Sequence, residues 1–372
     1  MEERKLIFGL NEVEGIGWKS IDKIRKAGFL TEKAFSYTPE DWESIGLTNK
    51  MSNRLASIYD AEWINKRYSL MKESGAAMVT PFDGNYPELL KETAQPPWVL
   101  YYRGRLELIS RPAIAMVGTR VPTAYGRKVG EILAEELSAA GLTVVSGLAR
   151  GIDSVCHEAA LRGRGGTIAV MATGMDRVYP PENRELERLI GREGLVLTEY
   201  PLGTQSHPGL FPQRNRIIAG LTLGTVVVEA DIRSGSLITA DAAMEANRDV
   251  FAVPGPITSP KSRGALDLIK QGAKLITCAK DIVEEYASYL DKIPAEIRES
   301  ESFVPEAGNL GFEKNLTSEE LRLYHILHQG PFTLDDLLMR TEWDFGHLHS
   351  VLLSLIIKKA VTQLPGAIYK VI

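Results

Sequence analysis

Between Pro112 and about Ile276 the chain alternates short, almost unbroken apolar runs with longer amphipathic stretches. The runs are Ala113–Val117, Leu142–Ser146, Thr167–Ala172, Leu195–Tyr200, Thr225–Ala230 and Val250–Val253. A strand that stays apolar at successive positions is buried on both faces, as in a parallel sheet covered by helices. The stretches Lys128–Ala140, Gly151 to about Arg162, Asn183–Arg192, Gln213–Leu221, Ser236–Asn247 and Gly264–Gln271 predict the helices between them. Repeated strand–helix units with short connections define the fold class as α/β, with a doubly wound parallel-sheet, Rossmann-like core over residues 111–290.

The flanks carry other periods. Residues 1–70 read as a small domain of short helices separated by Gly-containing turns, and 71–110 as a connector with a strand or two packing on the core. After about Leu290 periodicity fades, and 291–313, with Pro294, Pro305 and Gly308, reads as a linker. Residues 314–372 predict helices at Ser318–Gln329, Asp335–Arg340 (capped by Thr333) and about Asp344–Lys358. A hairpin turning at Pro365-Gly366 follows, and together these make a C-terminal winged-helix domain. Its third helix offers Asp344, Phe345, His347, His349 and Ser350, with no arginine before Lys358. Such a face suits protein contact or packing better than reading a major groove.

Charge by segment changes the picture. The formal net charge of −5 argues against a nucleic-acid partner until it is located. Residues 111–278 hold 19 basic and 17 acidic side chains, whereas 279–313 hold 3 and 9. The acidic excess therefore sits on and beside the linker, and the core is slightly basic. No apolar run approaches the ~20 residues of a membrane span, and the start, MEERKLIF, lacks the pattern of a secretory signal. With two cysteines, Cys156 and Cys278, a disulfide framework or cysteine-based zinc site is not expected, and a cytoplasmic location is.

In an open parallel sheet, ligands bind outside the carboxyl ends of the strands. The turns there read Gly118-Thr119-Arg120, Ser146-Gly147-Leu148-Ala149-Arg150-Gly151-Ile152-Asp153, Thr173-Gly174-Met175-Asp176-Arg177, Phe211-Pro212-Gln213-Arg214-Asn215-Arg216 and Arg233-Ser234-Gly235-Ser236. Glycines admit backbone amides to an anion, helix N-termini favour negative charge, and arginines with one aromatic suit a phosphodiester chain with a stacking base. Singly, each glycine or arginine is equally a turn or a solvated face. A dinucleotide cofactor fares worse, because Gly118-Thr119-Arg120-Val121-Pro122-Thr123 has bulk where the second and third fingerprint glycines belong. No Walker-type Gly-Lys-Ser/Thr occurs. Cys156 and His157 diverge by ~100° on a helix, and the histidine pairs lack zinc partners. Asp153 reads as a helix N-terminal cap. The alternative is an enzyme: Gly220-x-x-x-Gly224-Thr225 with Glu229 faintly resembles the turn of nucleotide phosphoribohydrolases, with Glu229 near a ribose and Arg120 on a phosphate.

Taken in order, these turns, with Tyr179-Pro180-Pro181 and Ser234-Gly235-Ser236-Leu237-Ile238-Thr239-Ala240, resemble the DprA family of bacterial DNA-processing proteins. The resemblance implies a dimeric, non-catalytic, cofactor-free protein that binds single-stranded DNA, protects incoming strands in natural transformation and loads the RecA recombinase. It implies DNA contact at Arg120, Phe211, Arg214 and Arg216. With the neighbouring turns, the expected site is Gly118, Thr119, Arg120, Ser146, Gly147, Arg150, Gly151, Phe211, Arg214, Asn215, Arg216, Ser234, Gly235 and Ser236. The chain departs from many relatives at His207-Pro208-Gly209-Leu210, which lacks a basic residue before the Phe, and at Leu266, where an asparagine is common. In the N-terminal domain, Gly15-Ile16-Gly17 beside Lys19, Lys23, Arg25 and Lys26 resembles a helix-hairpin-helix (SAM-like) turn. Its glycines either hold a DNA phosphate or simply permit a tight turn.

Overall fold

The computed structural model describes residues 2–290, 317–327, 330, 332–341, 343–358, 360–364 and 368–371. The expected linker 291–313 and the expected turn at Pro365-Gly366 lie outside the described residues. The chain divides into two compact units, Met1–Pro294 and Ala295–Ile372.

The first unit opens with five helices, α1 (Glu3–Glu12), α2 (Trp18–Lys26), α3 (Pro39–Ser44), α4 (Asn49–Ile58) and α5 (Ala61–Glu73). Thr38 and Asp41 form a reciprocal capping box, and Thr48 and Asp60 cap the next two helices. Gly15 takes a φ of +89°, so the α1–α2 turn needs it, whereas Gly17, at −107°, does not use the left-handed region. Three of the four cations nearby are engaged: Lys26 pairs with Asp22, Lys23 donates to the Gly46 carbonyl, and Arg25 lies over Trp98. Ile7, Phe8, Trp42 and Ile64 of these helices share one apolar cluster with Tyr101, Ala169 and Val196 of the sheet.

The elements that follow are β1 (Ala77–Val79), α6 (Glu88–Lys91), β2 (Leu100–Gly104), β3 (Ala113–Val117), α7 (Ala124–Ala139), β4 (Thr143–Ser146), α8 (Ile152–Ala160), β5 (Thr167–Val170), α9 (Arg184–Glu193) and β6 (Leu195–Thr198). Then come α10 (Leu210–Gly220), β7 (Gly224–Val227), α11 (Gly235–Glu245), β8 (Asp249–Ala252), α12 (Arg263–Lys270), β9 (Lys274–Leu275), α13 (Lys280–Val283) and α14 (Ala287–Leu290). The nine strands pair in the order β1-β2-β6-β5-β4-β3-β7-β8-β9. From β6 to β9 the pairing is parallel; β2 runs antiparallel to both β6 and β1. Every residue of β3 is buried because both faces are covered. Ala113, Ala115 and Val117 meet Ile217 and Ile218 of α10 and Ala240 of α11, while Ile114 and Met116 meet Leu133 of α7 and Cys156 of α8. Cys156 is thus a core residue, its thiol pushed well up by burial.

Two helix starts lie three or four residues before expectation. Helix α7 begins at Ala124 because the Thr123 hydroxyl accepts from Gly126 N. Helix α10 begins at Leu210 and not at the expected Gln213, so Phe211 and Pro212 of the expected turn lie on its first turn. Pro212 is tolerated there because the first turn leaves its N–H positions unpaired anyway.

Beyond β3, strands β4 to β6 extend one way and β7 to β9 the other. The carboxyl ends of β3 and β7 therefore flank the point where strand order reverses.

The second unit comprises α15 (Ser318–Leu327), β10 (Phe332–Thr333), α16 (Leu334–Thr341), α17 (Phe345–Ile357), β11 (Val361–Leu364) and β12 (Ile368–Val371), with sheet order β10-β12-β11. Thr333 and Asp336 exchange capping hydrogen bonds at α16, and Asp344 caps α17 through His347 N. Leu323, Leu337, Leu348, Leu352 and Tyr369 form its core. On α17 the exposed Phe345 stacks on His349.

Candidate functional site

A cleft of about 580 Å³ opens at the switch point, between the ends of β3 and β7 and beneath the first turn of α10. Its floor is built around Arg214. This side chain is 4% exposed; its guanidinium donates to the carbonyls of Gly147 and Val170 and to Asn215 Oδ1 (3.1 Å). A Cβ at Gly147 would run into that guanidinium, so the glycine is there to admit an arginine. Burial lowers the Arg214 pKa to about 10, which keeps it charged at neutral pH. Asp153 is its electrostatic counterpart. Burial pushes the Asp153 carboxyl up, opposed by Arg214 and by hydrogen bonds from Ala149 N (3.3 Å) and Gly147 N (3.1 Å).

Those two bonds correct the expectation for Asp153. Gly151, with φ +79°, stands at the N-cap of α8, and Asp153 reaches back to the preceding loop instead. Two of the loop's amides, those of Gly147 and Ala149, are therefore occupied by the protein's own carboxylate. A Cβ at Gly151 would strike the backbone of Thr119 and Arg120, so this glycine lets the β3 turn lie against α8. The same loop is fixed by His157, which accepts from Leu148 N at 3.3 Å while its Nδ1 lies 2.7 Å from Thr167 Oγ1. Since Nε2 accepts, Nδ1 carries the proton. Burial lowers the His157 pKa to about 3. Leu148 itself sits at φ +56°.

The lip is a different chemistry. Arg120 is exposed, and its guanidinium carbon lies 5.4 Å from the centre of the half-buried Phe211 ring; Tyr179 stands 5.7 Å from that ring on the other loop. Both Arg120 and Arg214 reach the same aromatic, Arg214 from below at 6.0 Å. A shallow pocket beside the cleft adds Gly147 and Arg150, the latter exposed and held by Glu182. Across the cleft stand Ser234, Gly235 and Ser236 at the start of α11, where Ser234 Oγ accepts from Ser236 N. That helix start directs its positive dipole end at the cleft.

The cleft and its side pocket thus bring together Gly118, Arg120, Gly147, Arg150, Phe211, Arg214, Asn215, Ser234, Gly235 and Ser236. Four expected residues are not brought to these walls. Thr119 donates its N–H to Glu229 O, accepts from Ile152 N and builds the turn; buried Ser146 bonds Met116 O; Gly151 makes room. Arg216 binds the Gln95 carbonyl and the Glu199 carboxylate instead. Five residues along a helix is about 140° of rotation, so Arg216 points away from Phe211, whereas Arg214 at three residues stays near it. Tyr179 was the aromatic not assigned from sequence, although its turn follows β5 on the same edge. Among the described residues no group of three or more His, Cys, Asp or Glu could hold a metal ion, and no helix is long and apolar enough to cross a membrane.

The family model for DNA recombination-mediator protein A matches residues 77–287, and that for the DprA winged helix domain matches 313–367. The chain belongs to the DprA family. It is 35% identical to Protein Smf of Synechocystis over 98% of this chain and 89% of that one. It is also 48% identical to the DNA processing protein DprA of Streptococcus pneumoniae over 55% of this chain and 72% of that one. The X-ray structure of DprA from Streptococcus pneumoniae superposes with a TM-score of 0.68 at 38% identity, covering 77% of this chain and 98% of that one. DprA from Helicobacter pylori, described for its single-stranded DNA binding mode, gives 0.53 at 29% identity, over 57% and 96%.

Proposed function

We propose that this DprA-family chain binds single-stranded DNA in the cleft, performs no reaction on it, and as a homodimer hands the strand to the RecA recombinase. The observation that carries the reading is Arg120 lying over Phe211 at the lip, with no carboxylate partner for Arg120 among the described residues. A base stacked on such a ring contributes about 1–3 kcal/mol, and the guanidinium is placed for its phosphate. The Helicobacter relative's described binding mode supports the same ligand.

Glu229 favours binding over ribose hydrolysis. Its carboxylate accepts from Thr123 N (2.9 Å) and Thr123 Oγ1 (2.5 Å), and a Cβ at Gly126 would collide with it. It serves as an anchor at the start of α7, where negative charge is favoured. On the second unit, the exposed Phe345–His349 stack suits protein contact or packing.

The test is a salt-titrated comparison of single- and double-stranded oligonucleotides. Binding to oligo-dT weakens steeply with salt, and Arg120→Ala and Phe211→Ala each reduce it about 5- to 150-fold, as loss of 1–3 kcal/mol requires. Parent-like binding by both variants would sink the assignment. Light scattering reads the dimer as twice the 41.0 kDa chain, and RecA ATPase on single strands reads the delivery.

A further inference from the structure

The carboxyl edge of the sheet is asymmetric in charge. On the side of β4 to β6 three arginines are neutralised, Arg150 by Glu182 (2.5 Å), Arg177 by Asp176 (3.5 Å) and Arg216 by Glu199, and one exposed arginine, Arg184 at the start of α9, has no carboxylate partner among the described residues. On the side of β3, β7 and β8, Arg120, Arg233 and Arg263 are exposed, and none has a carboxylate partner among the described residues. Lys261, on the same side, donates to the Val121 carbonyl. The same loops hold three apolar side chains in water: Val121 (69% exposed), Ile232 (55%) and Ile257 (83%).

These loops form one shelf. Lys261 ties the β8 loop to the β3 loop, Tyr125 OH donates to Pro254 O (2.7 Å), and Gly264 N donates to Ala230 O (2.8 Å). The shelf begins at the cleft, because Arg233 adjoins Ser234. The loop after β7 also carries one exposed carboxylate, Asp231, which accepts from Ile232 N; three unpaired arginines outnumber it, and cations interleaved with exposed apolar groups fit a polyanion whose units carry flat apolar faces. We propose that a strand seated against Phe211 leaves the cleft over β7 and β8, on Arg233 and Arg263, and not over β5 and β6. The inference rests on the reading of the cleft as a strand site and adds the direction of its continuation.

Full-length chain is titrated with oligo-dT of about four and about twenty nucleotides, spanning the range of single-strand site sizes. In Arg233→Ser/Arg263→Ser the short oligonucleotide binds as in the parent, while the long one binds about tenfold more weakly. Its log–log salt slope falls by about 1.4, at roughly 0.7 per lost phosphate contact. Arg177→Ser changes neither length. Parent-like affinity and slope for the long oligonucleotide in the double variant, with an unchanged melting temperature, overturns the proposal and leaves the shelf to a protein partner. An Arg177→Ser loss matching the double variant's overturns the direction. Failure of the cleft itself is a separate outcome: the parent then binds neither length, or Arg120→Ala leaves the short one unaffected.

Discussion

The floor and the lip of the cleft use the same residue types for opposite ends. On the floor, Arg214 is buried, three of its hydrogen bonds close on the protein, and Asp153 supplies the opposing charge. At the lip, Arg120 is exposed and lies over an aromatic ring, with no carboxylate partner among the described residues. One arginine determines the shape of the cleft and the other meets what enters it. The largest expected effect tests that division. Arg214→Met leaves two buried carbonyls unpaired and Asp153 without its counter-charge, and removing one member of a buried charged pair costs about 3–5 kcal/mol. The expected readout is a melting temperature lower by roughly 6–20 °C. Arg120→Ala should leave it unchanged while weakening DNA binding. An Arg214→Met protein that melts like the parent would erase the distinction.

A smaller effect separates the floor by pH. Folded His157 stays neutral down to about pH 3, whereas the unfolded residue titrates near 6.5. Between those values the unfolded state binds the extra proton, so stability from this residue is full above about 6.5 and declines as pH falls. The slope is at most about 1.4 kcal/mol per pH unit. Asp153, raised in the fold, contributes with the opposite sign at the acidic end of the window. Thermal melts at pH 7 and 5 should show a shallower decline for His157→Gln than for the parent. An equal decline would remove His157 from the account. Smallest is Arg150→Ala at the lip. Its partner Glu182 is also exposed, so water and salt screen the pair, and stability measured by denaturant titration should barely move.

How far the sequence foretold this division follows from the physics of each signal. The six central strands were legible because double-sided burial forces continuous apolar runs. The connector's strands were legible only as a strand or two without bounds, and edge strand β9 was not legible, being two exposed residues long. The residues of the cleft were legible as a set, because strand ends converge on one edge. Their division into floor and lip was not, since burial of an arginine is a property of the assembled walls. Helical phase does separate Arg216 from Phe211 and Arg214, but only once Phe211 and Pro212 join the helix expected from Gln213. Asp153 misled for a related reason: Gly151 holds the cap position with no side chain, which frees the aspartate to fold back.

That backward reach has a consequence for selectivity. In many α/β proteins a glycine-rich loop after a strand is where a free nucleotide leaves its phosphate. Here the loop carries its own anion, covalently tethered and so present at an effective concentration no diffusing metabolite matches. A mononucleotide phosphate would find the Gly147 and Ala149 amides already taken, and on the proposed reading a strand gains its place at the rim through several linked contacts at once. Length, rather than a terminal phosphate, becomes the admission criterion.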